Sequence, residues 1–170
     1  MSSHCEIEKK YLIARMDPAE LLGKSGCAVW EIEQVYLSAE PGTTRRIRRV
    51  VENGETRYYK TFKRRLSAMS AEEDEGLISQ ADYESYLKEA NPNQRPILKT
   101  RYRIPYEGQI LEFDLYPFWS DRAVMEIELE SEAQPVYIPD WVRVLRDVTG
   151  DRRYSNFALA LEIPMDDISH

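Results

Sequence analysis

Residues Glu6 to Ile13 read E-I-E-K-K-Y-L-I, a stretch in which charged side chains return at every second position. Alternate residues of a β-strand lie on the same face, whereas successive residues lie on opposite faces. A strand over this stretch therefore carries Glu6, Glu8 and Lys10 on one face. The segment predicts a β-strand with two carboxylates and one ammonium group side by side.

The same alternation recurs in six further segments, which indicates a protein built mainly of strands. The segments are 30–37, 44–51, 56–63, 97–104, 109–116 and 124–130. Turn signals part several of them, at Pro41-Gly42, Asn53-Gly54 and Glu107-Gly108. Helical patterns are few, and we expect short helices over 17–22, 80–90, 141–147 and 156–161. The sequence predicts a mostly β (α+β) fold, an antiparallel sheet or barrel with peripheral helices.

Size and composition are typical of one ordinary domain over residues 1–170. Hydrophobic residues make up 42% of the chain and charged residues 31%, with no long apolar run. The first residues lack the apolar stretch of a signal peptide, so we expect a cytoplasmic protein without a membrane span. Cys5 and Cys27 do not form a metal-binding pair, and His4 and His170 near the two ends do not suggest a zinc cluster.

The net charge of −7 argues against nonspecific nucleic-acid binding, but the basic residues are unevenly distributed. Nine of the 23 lysines and arginines fall between Arg45 and Arg65. A basic block within an acidic protein indicates either a small anionic ligand or a surface patch.

The polar faces of the predicted strands are sorted by the sign of their charge. The basic faces carry Arg46 with Arg48, and Lys99 with Arg101 and Arg103; the acidic faces carry Glu112 with Asp114, and Glu126 with Glu128. A solvated sheet surface is the simplest explanation of any one strand. Taken together, however, like charges on one strand repel unless opposite charges lie between them. If the sheet closes into a barrel, the set suits a polyanion bound together with Mg²⁺ or Mn²⁺.

The E-x-E-x-K pattern and the motifs that follow it resemble the CYTH superfamily, the triphosphate tunnel metalloenzymes. The matching motifs, in order, are Gln34-x-Tyr36-Leu37, Arg46-x-Arg48, Thr61-x-Lys63, Lys99-x-Arg101-x-Arg103, Glu112-x-Asp114, Glu126-x-Glu128 and Arg153-Tyr154-Ser155-Asn156. They cover residues 6–158. The resemblance implies an eight-stranded antiparallel β-barrel that forms a tunnel, with Mg²⁺ or Mn²⁺ as the cofactor.

The resemblance also implies roles for thirteen side chains. The metal-binding carboxylates would be Glu6, Glu8, Glu112, Asp114, Glu126 and Glu128; the triphosphate ligands would be Lys10, Arg46, Arg48, Lys63, Lys99, Arg101 and Arg103; and Glu6, Glu8 and Lys10 would form the catalytic group. The T-x-K spacing favours Lys63 over Lys60 as the inward residue, although a register slip of one residue would exchange them.

Several positions allow more than one interpretation. Glu73 and Glu75 match a further acidic pair, but Ala71 stands where the family often has arginine. Tyr36 could line the tunnel or pack in the wall. The arginines Arg45, Arg49, Arg64 and Arg65 are expected to face outward.

The favoured function is metal-dependent hydrolysis of a triphosphate, above all inorganic tripolyphosphate, to phosphate and pyrophosphate. The alternatives are a class IV adenylate cyclase, a nucleoside or thiamine triphosphatase, and a non-catalytic module that binds polyphosphate. The expected partner is a small triphosphate and neither nucleic acid nor a membrane. Because family members often pair, the resemblance leaves a homodimer open.

Overall fold

A computed structural model describes residues 2–168, and these residues form nine β-strands and three short α-helices. The strands are β1 (Ser2–Ala14), β2 (Ala28–Leu37), β3 (Thr43–Glu52), β4 (Glu55–Arg65), β5 (Ser70–Ile78), β6 (Ile97–Tyr106), β7 (Gln109–Leu115), β8 (Arg122–Leu129) and β9 (Val144–Asp147). The helices are α1 (Pro18–Leu22), α2 (Gln80–Tyr86) and α3 (Asn156–Leu159), with 3₁₀ turns at Leu87–Glu89 and Arg152–Tyr154. His170 lies outside the described residues.

Eight of the strands close into an antiparallel barrel in the order β5-β4-β3-β2-β6-β7-β8-β1. The long strand β1 closes it, because its two halves pair with different partners. Residues 2–7 run beside β5, with Glu6 opposite Ala71, and residues 7–14 run beside β8, with Lys10 opposite Glu126. The predicted eight-stranded antiparallel barrel with few helices is therefore confirmed.

Most of the hydrophobic core lies outside the barrel wall. On β1 the buried Tyr11 and Ile13 alternate with the charged residues and face away from the lumen. Together with apolar residues of β6, β7 and β8 they pack beneath Leu21 of α1 and the segment that holds Trp141. A second outer cluster lies on β2 and β3, where Tyr83 of α2 covers Ile47. Because apolar burial is satisfied outside, the inward faces are left for charged side chains.

A separate apolar cluster fills one end of the barrel. Leu12, Ile97 and Val124 continue the inward faces of their strands below the charged residues. Trp119 and Tyr154 pack against them, and both rings are almost completely buried. The charged part of the lumen is therefore bounded by a hydrophobic floor.

The turn signals and most of the predicted helices are found where they were expected. Asn53-Gly54 and Glu107-Gly108 both adopt positive φ angles, as tight hairpins require. The helix predicted over 141–147 is wrong, since residues 144–147 form β9. Only the first half of β1 is paired with β5, so its second half leaves a free edge, and β9 occupies that edge beside residues 11–13.

Within the described residues, none of the helices has the length and apolar character needed to cross a membrane. Cys5 and Cys27 are free thiols.

Candidate functional site

The lumen is a cavity of about 1050 Å³ with a highly charged wall. Among the described residues, its cationic lining is Lys10, Arg46, Arg48, Lys63, Arg65, Lys99, Arg101, Arg103 and Arg152. Its carboxylate lining is Glu6, Glu8, Glu73, Glu75, Glu112, Glu126 and Glu128. All of these except Arg152 come from barrel strands, where alternation directs every second side chain inward.

One charged cluster joins β1, β3, β4 and β5. Lys63 donates a hydrogen bond of 2.7 Å to Oε1 of Glu6, and Arg46 lies 3.9 Å from Glu73. Burial opposes ionisation of Glu6, but Lys63 and Arg46 outweigh it and lower the pKa of Glu6 to about 2. Burial and the neighbouring Glu6 raise the pKa of Glu73. Glu6 is therefore held as a carboxylate.

A second cluster joins β1 and β8 deeper in the barrel. Nζ of Lys10 lies 3.5 Å from Oε1 of Glu126 and donates to the carbonyl oxygen of Tyr154 at 3.4 Å. Burial and the Glu126 carboxylate raise the pKa of Glu8 to about 8. Burial also opposes ionisation of Glu126, but Lys10 and Arg101 outweigh it and hold the pKa of Glu126 far below its usual range. Two adjacent carboxyl groups thus differ in protonation near neutral pH.

The third cluster crosses from β6 to β7 and β8. Arg103 donates to Glu112 at 2.9 Å, and Arg101 lies 3.4 Å from the same oxygen and 3.7 Å from Glu126. Burial lowers the pKa of Lys99 to about 8, although the carboxylate of Asp114 opposes that shift. The Arg103 guanidinium also lies over the ring of Trp30, 4.6 Å from its centre.

The remaining side of the wall pairs Arg48 of β3 with Glu75 of β5. Nη2 of Arg48 donates to Glu75 at 3.0 Å, and the hydroxyl of Thr61 donates to the same oxygen at 2.8 Å. Burial opposes ionisation of Glu75, but Arg48 and Thr61 lower its pKa. The cationic groups of the wall are therefore held in place largely by carboxylates that alternate with them.

Comparison with known proteins gives a curated relative that matches nearly the whole chain. The chain is 34% identical over 164 residues to an inorganic triphosphatase of Nitrosomonas europaea, covering 94% of this chain and 99% of that protein. This chain belongs to the inorganic triphosphatase family. The resemblance to the triphosphate tunnel metalloenzymes is thereby confirmed. No family model matches the chain.

Two solved structures have the same fold. An inorganic triphosphatase of known structure is 30% identical, with a TM-score of 0.59 over 94% of this chain and 96% of that chain. A Bacillus halodurans protein described as a candidate adenylate cyclase is 17% identical, with a TM-score of 0.53 over 78% of this chain and 84% of that chain. At that identity the second likeness concerns the fold alone.

In this family member the structure brings twelve of the thirteen predicted side chains to the cavity, with Asp114 behind the wall. Asp114 is completely buried and holds Lys99 and Arg101 from behind. Lys63 faces the cavity, whereas Nζ of Lys60 bonds the hydroxyl of Tyr86 on the outside, so the T-x-K register is right. Glu73 and Glu75 line the cavity despite Ala71.

One outward prediction is wrong. Arg65 lines the cavity, because it lies two residues beyond Lys63 on the same face of β4. By contrast, Arg64 pairs with Glu72 on the surface, and Arg45 pairs with Glu89. The alternation of β4, applied one step further, would have placed Arg65 correctly.

Several cavity residues have no sequence signal or only a weak one. Gln34 and Tyr36 share one face of β2, and the amide of Gln34 donates to the Tyr36 hydroxyl at 2.6 Å. Tyr36 both lines the cavity and packs in its floor, so the two interpretations of this residue are compatible. Arg152 and Phe157 reach the cavity from the C-terminal 3₁₀ turn and α3, a contact that strand alternation cannot reveal.

The donor set of the wall fits a divalent metal ion. Within residues 2–168, no three carboxylate, histidine or cysteine side chains converge closely enough to form a preformed metal cage. Burial and Glu126 nevertheless raise the pKa of Glu8, and burial and Glu6 raise the pKa of Glu73, so one carboxyl group of each pair holds its proton more tightly than usual. A hard cation takes oxygen ligands and can replace such a proton, and Mg²⁺ retains several waters of its own. The carboxyl groups therefore suit a hard divalent cation.

Proposed function

We propose that this protein hydrolyses inorganic tripolyphosphate to phosphate and pyrophosphate inside the barrel, with Mg²⁺ or Mn²⁺ as the cofactor. The observation that carries the proposal is the lumen, in which nine cationic side chains and seven carboxylates line one cavity above a hydrophobic floor. A relative covering nearly the whole chain bears the name inorganic triphosphatase, which supports the same substrate class.

The basic side chains are suited to hold the phosphate chain. Lys10, Arg46, Arg48, Lys63, Lys99, Arg101 and Arg103 are the proposed ligands. Most of them contact wall carboxylates, so phosphate oxygens can take over hydrogen bonds that Glu6, Glu75 or Glu112 now accept. Arginine can present two parallel N–H donors to one phosphate, which orients as well as attracts it.

The proposed metal ligands are Glu6, Glu8, Glu112, Glu126 and Glu128. These carboxylates would hold the ion, which would supply positive charge that withdraws electrons from the phosphorus that reacts. These carboxylates lie on three neighbouring strands of the wall, because β8 pairs with β1 on one side and with β7 on the other. Because these carboxylates contact the proposed phosphate ligands Lys10, Lys63 and Arg103, the ion and the phosphate chain can be held next to each other.

The reaction joins water to a terminal phosphorus and breaks its bond to the bridging oxygen, so pyrophosphate leaves with the electron pair of that bond. Catalysis of phosphoryl transfer depends mainly on positioning and on stabilising charge at the phosphate oxygens. Lys63 on β4 and Arg101 on β6 approach the cavity from different walls, and both are fixed by carboxylates. Such fixed cations are suited to stabilise charge that develops on the leaving pyrophosphate.

The test compares substrates and metals in one assay. Phosphate and cyclic AMP are measured with tripolyphosphate or ATP, in Mg²⁺, in Mn²⁺ and with a chelator. We expect metal-dependent phosphate release that is fastest with tripolyphosphate. Glu6→Gln should abolish most turnover, whereas Glu72→Gln, which changes an exposed carboxylate paired with Arg64 on the outside of β5, should not.

The other outcomes identify the alternatives. Cyclic AMP with pyrophosphate would indicate an adenylate cyclase, and faster hydrolysis of ATP would indicate a nucleoside triphosphatase. Tight binding of tripolyphosphate without turnover, unaffected by Glu6→Gln, would indicate a non-catalytic binding module.

A further inference from the structure

Asp114 differs from the other predicted metal ligands in where its carboxylate lies. It stands on β7 directly opposite Arg101 of β6 and Val124 of β8. Its side chain has no exposed surface, and it is not part of the cavity lining, whereas Glu112, two residues earlier on the same face, does line the cavity. A carboxylate in this position has no direct access to an ion in the lumen.

Both oxygens of Asp114 are already engaged by cations. Oδ1 accepts from Nε of Arg101 at 2.7 Å, and Oδ2 accepts from Nη2 of Arg101 at 2.9 Å. Oδ2 also accepts from Nζ of Lys99 at 2.8 Å. Asp114 therefore holds the guanidinium of Arg101 with two parallel hydrogen bonds, a geometry that fixes the orientation of an arginine side chain.

Lys99 and Arg101 need such a partner. They are 3% and 8% exposed, and they stand two residues apart on one face of β6, so their charges repel. Buried cations are costly unless they are paired and hydrogen-bonded. Both side chains still reach the cavity, where their remaining N–H donors are available to a phosphate oxygen.

We propose that Asp114 is a positioning residue, which orients Lys99 and Arg101 toward the triphosphate and does not bind the metal. The inference rests on the proposed function, because it assigns these two cations to that substrate. It separates Asp114 from Glu112 and Glu128, whose carboxylates do face the lumen. Loss of Asp114 should therefore weaken binding of the anion and leave the metal requirement unchanged.

The test measures tripolyphosphate and metal dependence separately in Asp114→Asn. We expect KM for tripolyphosphate to rise on the order of 10- to 100-fold, the effect of losing charge-assisted hydrogen bonds that orient two ligands. The Mg²⁺ concentration for half-maximal rate should stay within about twofold of the wild type, whereas Glu128→Gln should raise it. Asp121→Asn is the matched control, because Asp121 accepts two hydrogen bonds from Arg122 outside the cavity. The KM of Asp121→Asn for tripolyphosphate should equal that of the wild type.

A second variant keeps the test informative if Asp114→Asn folds poorly. Lys99→Met removes one of the two buried cations, and Lys99→Met with Asp114→Asn restores the balance of charge. If Asp114 acts through its cations, Asp114→Asn should raise KM less in the Lys99→Met background than in the wild type. Equal effects in the two backgrounds, or a raised metal requirement with unchanged KM, would overturn the inference.

Binding without catalysis separates this inference from the proposed function. In the presence of a chelator, Asp114→Asn should weaken the affinity for tripolyphosphate measured by calorimetry. If the wild type binds tripolyphosphate without hydrolysing it, the proposed function fails while this binding comparison still decides the role of Asp114. Unchanged affinity in Asp114→Asn would contradict that role whatever the turnover.

Discussion

Lys63 of β4 and Glu6 of β1 meet at 2.7 Å across the width of β5, which lies between their two strands. The contact joins the E-x-E-x-K segment of β1 to the basic stretch between Arg45 and Arg65. Because it links residues 57 positions apart in the sequence, it forms only when the barrel closes. It also places a cation beside a carboxylate that stays ionised, so a phosphate and a metal can bind next to each other.

Replacing Lys63 should impair activity, whereas replacing Lys60 should not. Lys63→Met removes a fixed cation from the lumen, and we expect kcat for tripolyphosphate to fall on the order of 100-fold. Lys60→Met is the matched control, because Lys60 contacts Tyr86 on the outer face of the same strand. Steady-state kinetics with both variants checks this, and equal losses would contradict the register of β4.

Glu8 should make the metal-free protein less stable as the pH rises. Burial and Glu126 raise its pKa from 4.5 to about 8. A group whose pKa is raised on folding stabilises the protein fully below its unfolded pKa, and that contribution is lost as the pH rises through the folded value. Melting temperatures in chelator should therefore fall as the pH rises from about 4.5 to about 8.

Glu8→Gln, which cannot ionise, should show a smaller fall over the same range. Glu72→Gln changes an exposed carboxylate and should follow the wild type. Parallel curves for wild type and Glu8→Gln would show that Glu8 does not titrate in this window.

The hydrophobic floor should be a large source of stability. Leu12 is completely buried there, and we expect Leu12→Ala to lower the free energy of unfolding by about 2–5 kcal/mol. Leu66 is 53% exposed, and Leu66→Ala should change the free energy of unfolding by less than about 0.5 kcal/mol. Chemical denaturation measures both values, and similar small losses would mean that the floor is not tightly packed.

Gly150 should tolerate substitution less well than Gly54, although both have a φ of +78°. A β-carbon at Gly150 would lie 2.8 Å from the β-carbon of Ala68, whereas nothing lies within 4 Å of one at Gly54. Gly54→Ala should therefore lower the free energy of unfolding by about 1–2 kcal/mol through backbone strain alone. Gly150→Ala should lower the free energy of unfolding by more than Gly54→Ala does, which chemical denaturation measures. A smaller loss for Gly150→Ala would contradict the close approach of Gly150 to Ala68.

Much of the barrel can be predicted because its charged residues repeat with the period of a strand. The alternation at Glu6, Glu8 and Lys10 determines the inward face, and the like-charged pairs on β3, β6 and β8 do the same for theirs. Closure of the sheet is a long-range property, and it could be anticipated only through the resemblance to a known family.

The errors arise where local pattern and tertiary contact disagree. The pattern of residues 141–147 fits either a helix or a strand. The unpaired edge of β1 offers hydrogen bonds to a strand there, and residues 144–147 pair with it as β9. Asp114 has the same spacing as Glu112, yet it pairs with Lys99 and Arg101 and does not line the cavity, a difference that strand spacing alone does not reveal. Arg152 comes to the cavity through a loop, for which no periodicity exists.

The most direct test of the central claim is a ³¹P NMR time course of tripolyphosphate with the wild-type protein. With Mg²⁺ or Mn²⁺ we predict that the tripolyphosphate signals disappear while phosphate and pyrophosphate appear in equal amounts, and that a chelator stops the reaction. Persistence of tripolyphosphate in the presence of metal, while the protein remains folded and binds it, would contradict the account.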